Sequence, residues 1–175
     1  MQVLKHKLPE NDMYPGFWKI FVAHSHMNQI LSNLVLFNNR AMEYSMHYFD
    51  DFYSRLSWGQ PEEIQRAAIE EAGSIQNLWL FIQPMVFPNP KAVWENCAII
   101  LAKRTDSELA PYLNQIFEWL QDLNWPGAII IHNRLLDMEE QMCSKQLSRS
   151  QKQAQRENDD EWLFNLKYLQ DKIRL

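Results

Sequence analysis

The strongest constraint on the fold is the spacing of apolar residues through Leu109, Leu113, Phe117 and Leu120, which stops at Asn124-Trp125-Pro126-Gly127. Apolar side chains every three to four positions form one stripe on an α-helix and cannot form the alternating face of a strand. The stretch Phe117–Gly127 is therefore the joint between two helices. Similar interruptions at Gly59-Gln60-Pro61, Gly73, Pro84, Pro88 and Pro90 divide the chain into short helical pieces. Only four glycines occur in 175 residues, at 16, 59, 73 and 127, too few for an all-β fold rich in tight turns.

The pieces can be placed one by one. Pro15 to Asn38 carries Phe17, Phe21, Met27, Leu31 and Leu34 at helical intervals, and Arg40 to Leu56 carries Met42, Met46, Phe49, Tyr53 and Leu56. Gln60-Pro61-Glu62-Glu63 reads as a helix start, with proline in the first turn and acids at the positive end of the dipole. Ile64, Ala67 and Ala68, with Glu71 as a further candidate, define a short, small-residue face that stops at Gly73. A second short helix is expected from Ile75 to Phe81, and another from Pro90 through Ala98. Aligning Pro61 with Pro90 and Ala67-Ala68 with Cys97-Ala98 gives an offset of about thirty residues, the size of a helical-hairpin repeat.

Thr105 and Glu108 stand in capping-box spacing before Leu109. After Pro126 the next expected helix carries Ile129, Ile130, His132, Leu135, Leu136 and Met138. The polar stretch from Gln141 to Asp160 is either a solvated helix or a mobile linker. Trp162, Leu166, Leu169 and Ile173 then mark a terminal amphipathic helix that docks on the body, or else serves partner binding or self-association. The expected fold is all-α: a HEAT-like α-α superhelix of short antiparallel helices in one domain over 1–175. Residues 1–58 supply extra N-terminal helices, 59–140 the repeats, and 141–175 the polar segment and C-terminal amphipathic helix.

Charge is uneven. Residues 1–58 hold five Lys/Arg and five Asp/Glu, 59–140 hold five against twelve, and 141–175 hold seven against five. An acidic middle disfavours nucleic acid and favours a basic protein partner. The apolar stretch Ile20 to Phe37 is interrupted by His24, Ser25, His26, Asn28, Gln29, Ser32 and Asn33, which argues against a membrane span. Cys97 and Cys143 lie far apart outside any Cys-x-x-Cys pattern, so a reducing cytoplasm is the expected compartment.

The residues capable of chemistry do not assemble into a recognisable site. His24 and His26, two apart on a helix, point to different faces and cannot chelate one ion together. His47 and His132 are isolated, and Cys97 sits on an apolar helical face. No metal site, cofactor or catalytic residue is expected. An enzyme that uses His24, His26 or His47 with a carboxylate brought near by folding is the more distant alternative.

From Trp94-Glu95-Asn96-Cys97-Ala98 through Phe117-Glu118-Trp119-Leu120-Gln121-Asp122-Leu123-Asn124-Trp125-Pro126-Gly127 the chain resembles a bacterial family of small proteins known only as a domain of unknown function, with a HEAT-like helical-repeat appearance. The resemblance spans roughly residues 60–140, leaving the N-terminal helices and the basic tail outside it. It implies an α-α superhelix and no activity. Some members look like neighbours of toxin and immunity genes, which implies an immunity role.

The functional expectation is a non-enzymatic protein-binding module. In its most concrete form it is an immunity protein that occludes the active site of a basic nuclease toxin through an acidic surface. The expected partner-binding residues are Glu62, Glu63, Glu70, Glu71, Asp122 and Trp125. Asp122 and Trp125 also suit a structural role at the helix joint, as a cap and a packed indole. A structural or adaptor protein that acts through homo-oligomerisation is the alternative. No nucleic acid or membrane partner is expected.

Overall fold

The computed structural model describes residues 50–86 and 88–173, all within a compact unit spanning Tyr48–Leu175. The expected helix Pro15–Asn38 and most of Arg40–Leu56 lie outside the described residues, as do His24, His26 and His47. Among the described residues every regular element is helical. After helical residues 50–56 come α1 (Glu62–Glu71), α2 (Trp94–Ala102), α3 (Asp106–Leu109), α4 (Leu113–Glu118), α5 (Ala128–Leu136), α6 (Glu140–Glu157) and α7 (Asp160–Ile173).

Local chemistry sets several boundaries. Thr105 and Glu108 form the expected capping box at α3: the Thr105 side chain accepts from the Glu108 amide, and the Glu108 carboxylate accepts from the Thr105 amide at 2.9 Å. Pro111 has no N–H to donate, so the rod from 106 to 121 tightens into a 3-10 turn over Ala110–Tyr112 before resuming as α4. It tightens again over Trp119–Gln121. The piece expected as a helix from Ile75 to Phe81 is only a 3-10 turn, Leu78–Phe81. Asn77 is the reason: its side chain accepts from the Trp79 amide and starts the turn there, leaving residues 75–77 non-helical.

Residues 141–157 resolve the open alternative in favour of helix, lying within the eighteen-residue α6. It buries Cys143, Gln146, Leu147, Ser150 and Ala154 along one side. Asn158 (φ 53°) closes α6 in the left-handed conformation that asparagine tolerates, and Asp159 accepts from the Trp162 amide at 2.9 Å to open α7. The resulting α6–α7 hairpin is the most extensive helix pairing among the described residues, and α7 also packs on the 119–121 turn and on α5. Trp162, Leu166 and Leu169 are buried, so the terminal amphipathic helix docks on the body.

Trp119 and Trp162 are both fully buried. Each indole N–H finds a backbone acceptor: Trp119 donates to the Pro126 carbonyl at 3.0 Å and Trp162 to that of Phe117 at 3.1 Å. Burying an apolar side chain of this size contributes roughly 1.5–3 kcal/mol, and the hydrogen bond removes the cost of leaving the N–H unpaired. Gly127 lets α5 approach α2. It adopts φ +82°, and a Cβ there would stand 2.5 Å from that of Ala98 and 3.0 Å from the Trp94 carbonyl oxygen.

One expected face is rotated and another loses one member. On α1, Ala68 is buried whereas Ile64 and Ala67 face solvent; Ala72, just past the helix end, completes the inner face. On α5 and just past it, His132, Leu135 and Met138 are buried and Ile130 and Leu136 pack against the core; Ile131 joins them, and of this set only Ile129, 53% exposed, faces out. The run Ala128-Ile129-Ile130-Ile131 is apolar all round, so periodicity could not choose its inner side; packing against α2, 119–121 and α7 does.

Candidate protein-binding surface

Side chains of α2 and of the residues just after it hold α1 from its inner side. Arg104, at the end of α2, gathers three carbonyls where α1 terminates: Ala72 at 2.5 Å, Ile75 at 3.1 Å and Gly73 at 3.2 Å. A guanidinium presents five N–H donors in a fixed fork, which suits a helix C-terminus with unsatisfied carbonyls. Buried Asn96 on α2 donates to the Leu56 carbonyl at 2.7 Å and to Gln65 Oε1 at 2.6 Å, tying the 50–56 helix and α1 to α2.

The six expected partner-binding residues fall into three situations. Glu62, Glu63 and Glu70 are exposed on α1. Glu62 pairs with Arg66 at 3.3 Å across one helical turn, both side chains largely in water, so the pair contributes little. Glu63 and Glu70 stand seven apart, about two turns, and share one stripe with exposed Ala67 between them and exposed Ile64 beside them. Glu71 lies along the Ile64 side of the helix, off the Glu63–Glu70 stripe, and receives Arg55 Nη1 at 2.6 Å, an ion pair that ties the 50–56 helix to α1.

Asp122 and Trp125 belong to the turn before α5. Asp122 Oδ1 accepts from the Asn124 amide at 2.8 Å, and the Trp125 amide donates to the Asp122 carbonyl at 3.1 Å. This is an Asx turn holding the joint. The half-buried Trp125 ring meets Trp94 edge to face at 5.7 Å, with Lys91 Nζ 5.7 Å from the centroids of both rings. Helix α2 thus stands between the two groups: its Asn96 holds Gln65 of α1, and Trp94 at its start holds Trp125.

The titratable groups point to structure. Burial pushes the Cys97 thiol well above its ordinary range and that of Cys143 up to about 11, with the Asp106 carboxylate adding to the latter. Both thiols are free and buried. His132 is held below its usual value by burial, opposed by its bond to Asn133 and helped by Lys172; its ring stacks on Tyr168 at 5.3 Å. Among the described residues no group of three or more His, Cys, Asp or Glu could hold a metal ion, and no helix is long and apolar enough to cross a membrane.

The fold and this surface define an all-α module in which buried Asn96, Trp119, Trp162 and Asn165 donate to backbone carbonyls and the exposed α1 face carries acids beside apolar side chains. Residues 90–174 match a family described as a domain of unknown function, DUF5071. The match covers just under half of the chain, from the turn that opens into α2 to the end of α7. It therefore takes in the C-terminal segment that the expected 60–140 span left out, and leaves α1 outside. No curated protein and no solved structure matches the chain.

Proposed function

We propose that this protein is a non-enzymatic binding module that uses the outer face of α1 to engage a basic protein. The carrying observation is the stripe of exposed Glu63 and Glu70 flanking exposed Ala67 and Ile64 on a helix that Arg104 and Asn96 clamp to α2. Carboxylates speed association with a cationic partner, and the apolar side chains between them offer area to bury. In its most concrete form the partner is a nuclease toxin, whose phosphate-binding surface must be basic, and the protein is its immunity factor, acting in the cytoplasm where two free thiols stay reduced.

We also infer a HEAT-like stacking of the helices. Arg104 and Arg134 stand thirty residues apart, and each reaches back to carbonyls where an earlier helix ends: Arg104 to Ala72, and Arg134 to Arg104 at 2.8 Å.

The test is affinity capture from the native host with the wild-type chain and with Glu63→Lys/Glu70→Lys, followed by mass spectrometry and a nuclease assay on the captured protein. The expected result is a basic protein retained by the wild type, lost from the variant, and inhibited as a nuclease by the wild type. Unchanged capture by the charge-reversed variant would overturn the α1 reading. Glu71 is left intact because its reversal would break the Arg55 pair.

A further inference from the structure

Residues 141–155 contain no Asp or Glu, in a chain with twenty-two acids. Within and just beyond this stretch, Lys145, Arg149, Lys152 and Arg156 recur at i, i+4, i+7 and i+11 on α6. At 100° per residue the four lie within about 60° of one another and span roughly 16 Å along the axis. All four are exposed. The opposite side of α6, Cys143, Gln146, Leu147, Ser150 and Ala154, is buried, so the basic stripe faces outward. Among the described residues none of the four makes an ion pair. At its N-terminal end the stripe borders a cleft of about 290 Å³, where Lys145 and Arg149 stand beside Pro111, Leu113 and Met142.

We infer that this stripe docks the acidic face of α1 from a second copy of the chain. The two faces are complementary in charge and in spacing. Glu63 and Glu70 are seven residues apart, as are Lys145 and Lys152, and Arg149 and Arg156. Two helices laid side by side therefore align both carboxylates with two cations at once, about 10 Å apart on each helix. The residue after Glu63 is Ile64, 39% exposed, and the cleft at the end of the basic stripe offers both polar Asn114 and Gln146 and apolar Pro111 and Met142 to whatever side chains flank the carboxylates. The inference rests on the reading of α1 as a docking face. Self-association and capture of a basic partner then compete for that face.

The test is sedimentation velocity of the full chain at about 50 mM and about 500 mM salt, since exposed ion pairs are screened over a Debye length that shrinks with salt. The expected result is a mass above the 20.9 kDa monomer at low salt that falls to the monomer at high salt. Glu63→Lys/Glu70→Lys and Arg149→Glu/Lys152→Glu should each be monomeric, with unchanged circular dichroism because all four positions are exposed. Mixing the two variants should restore association, because the acidic α1 of one then meets the basic α6 of the other. A wild type that is monomeric at low salt overturns the inference, including one that instead retains an acidic peptide or RNA on the stripe. Association indifferent to both reversals overturns it too. Capture of a basic partner by Arg149→Glu/Lys152→Glu reports on the α1 reading separately: a monomeric wild type that still captures one sinks only the self-association.

Discussion

The indole N–H of Trp162 donates to the carbonyl of Phe117 across 3.1 Å, joining residues forty-five positions apart. Asn165, one turn later on α7, repeats the relationship with the Leu120 carbonyl at 2.9 Å. Both carbonyls lie near the end of the 106–121 rod, where a helix runs out of intrahelical donors. Trp162→Phe should cost roughly 1–3 kcal/mol, the loss of a buried hydrogen bond plus some contact, and Trp162→Ala roughly 3–5 kcal/mol. Urea unfolding followed by circular dichroism checks both. A Trp162→Phe variant as stable as wild type would mean that the bond contributes nothing.

Two glycines make a contrasting pair. Gly127→Ala places a Cβ 2.5 Å from that of Ala98 at a left-handed φ, so α5 must move away from α2. The expected loss is at least about 2 kcal/mol, from backbone strain and overpacking together. At Gly73 a Cβ meets nothing within 4 Å, and Gly73→Ala should leave stability within about 0.5 kcal/mol of wild type. Thermal melts of the two variants side by side test the difference.

Asp106 ties α3 to the start of α6. Its carboxylate accepts from the Glu139 amide at 2.8 Å and from Arg134 at 2.5 Å, and these bonds hold it below its ordinary value of 3.8. A carboxylate depressed in the folded state contributes stability that is present above the unfolded value and is lost as pH falls through the folded one. Asp106→Asn should therefore destabilise the protein at pH 7 and flatten the acid limb of its stability profile below about pH 4. An unchanged acid limb in urea midpoints taken from pH 7 to 2.5 would contradict this.

His132 acts in a different pH window, and there the fold favours the neutral form rather than the charged one. Its ring is buried against Tyr168 and its Nε2 has no hydrogen-bond partner among the described residues, so the neutral form is favoured in the folded state. The unfolded chain binds the proton more readily. Stability should fall as pH drops below 6.5, the ordinary histidine value, and level off below the folded one. His132→Phe keeps an aromatic ring against Tyr168 and removes the proton site, so its melting temperature should be flatter than wild type between pH 7.5 and 5.5.

Much of the helical punctuation was legible because it depends on near neighbours. The Thr105/Glu108 box, the stop at Gly73 and the stripe Leu109, Leu113, Phe117, Leu120 follow from capping chemistry and a 3.6-residue period. The terminal helix was legible for the same reason, its apolar face being narrow and regular. The candidate surface was legible in part. Glu62, Glu63 and Glu70 are exposed on one helix, but Glu71 is drawn to Arg55 by tertiary packing. The basic stripe of α6 had a signal, cations at i, i+4, i+7 and i+11, hidden inside a segment whose polarity alone left helix and linker equally open.

The sequence by itself determined that the chain is helical, where most helices start and stop, and that its net negative charge lies between residues 59 and 140. Those are properties of residues within a few positions of one another. Only the tertiary structure decided which side of α1 and α5 turns inward, that residues 140–157 pack as a full helix, and which carbonyls Arg104, Arg134, Trp162 and Asn165 cap. Those choices depend on partners thirty to forty-five residues away, brought close by chain compaction, where a buried polar group must find an acceptor or lose its hydration uncompensated.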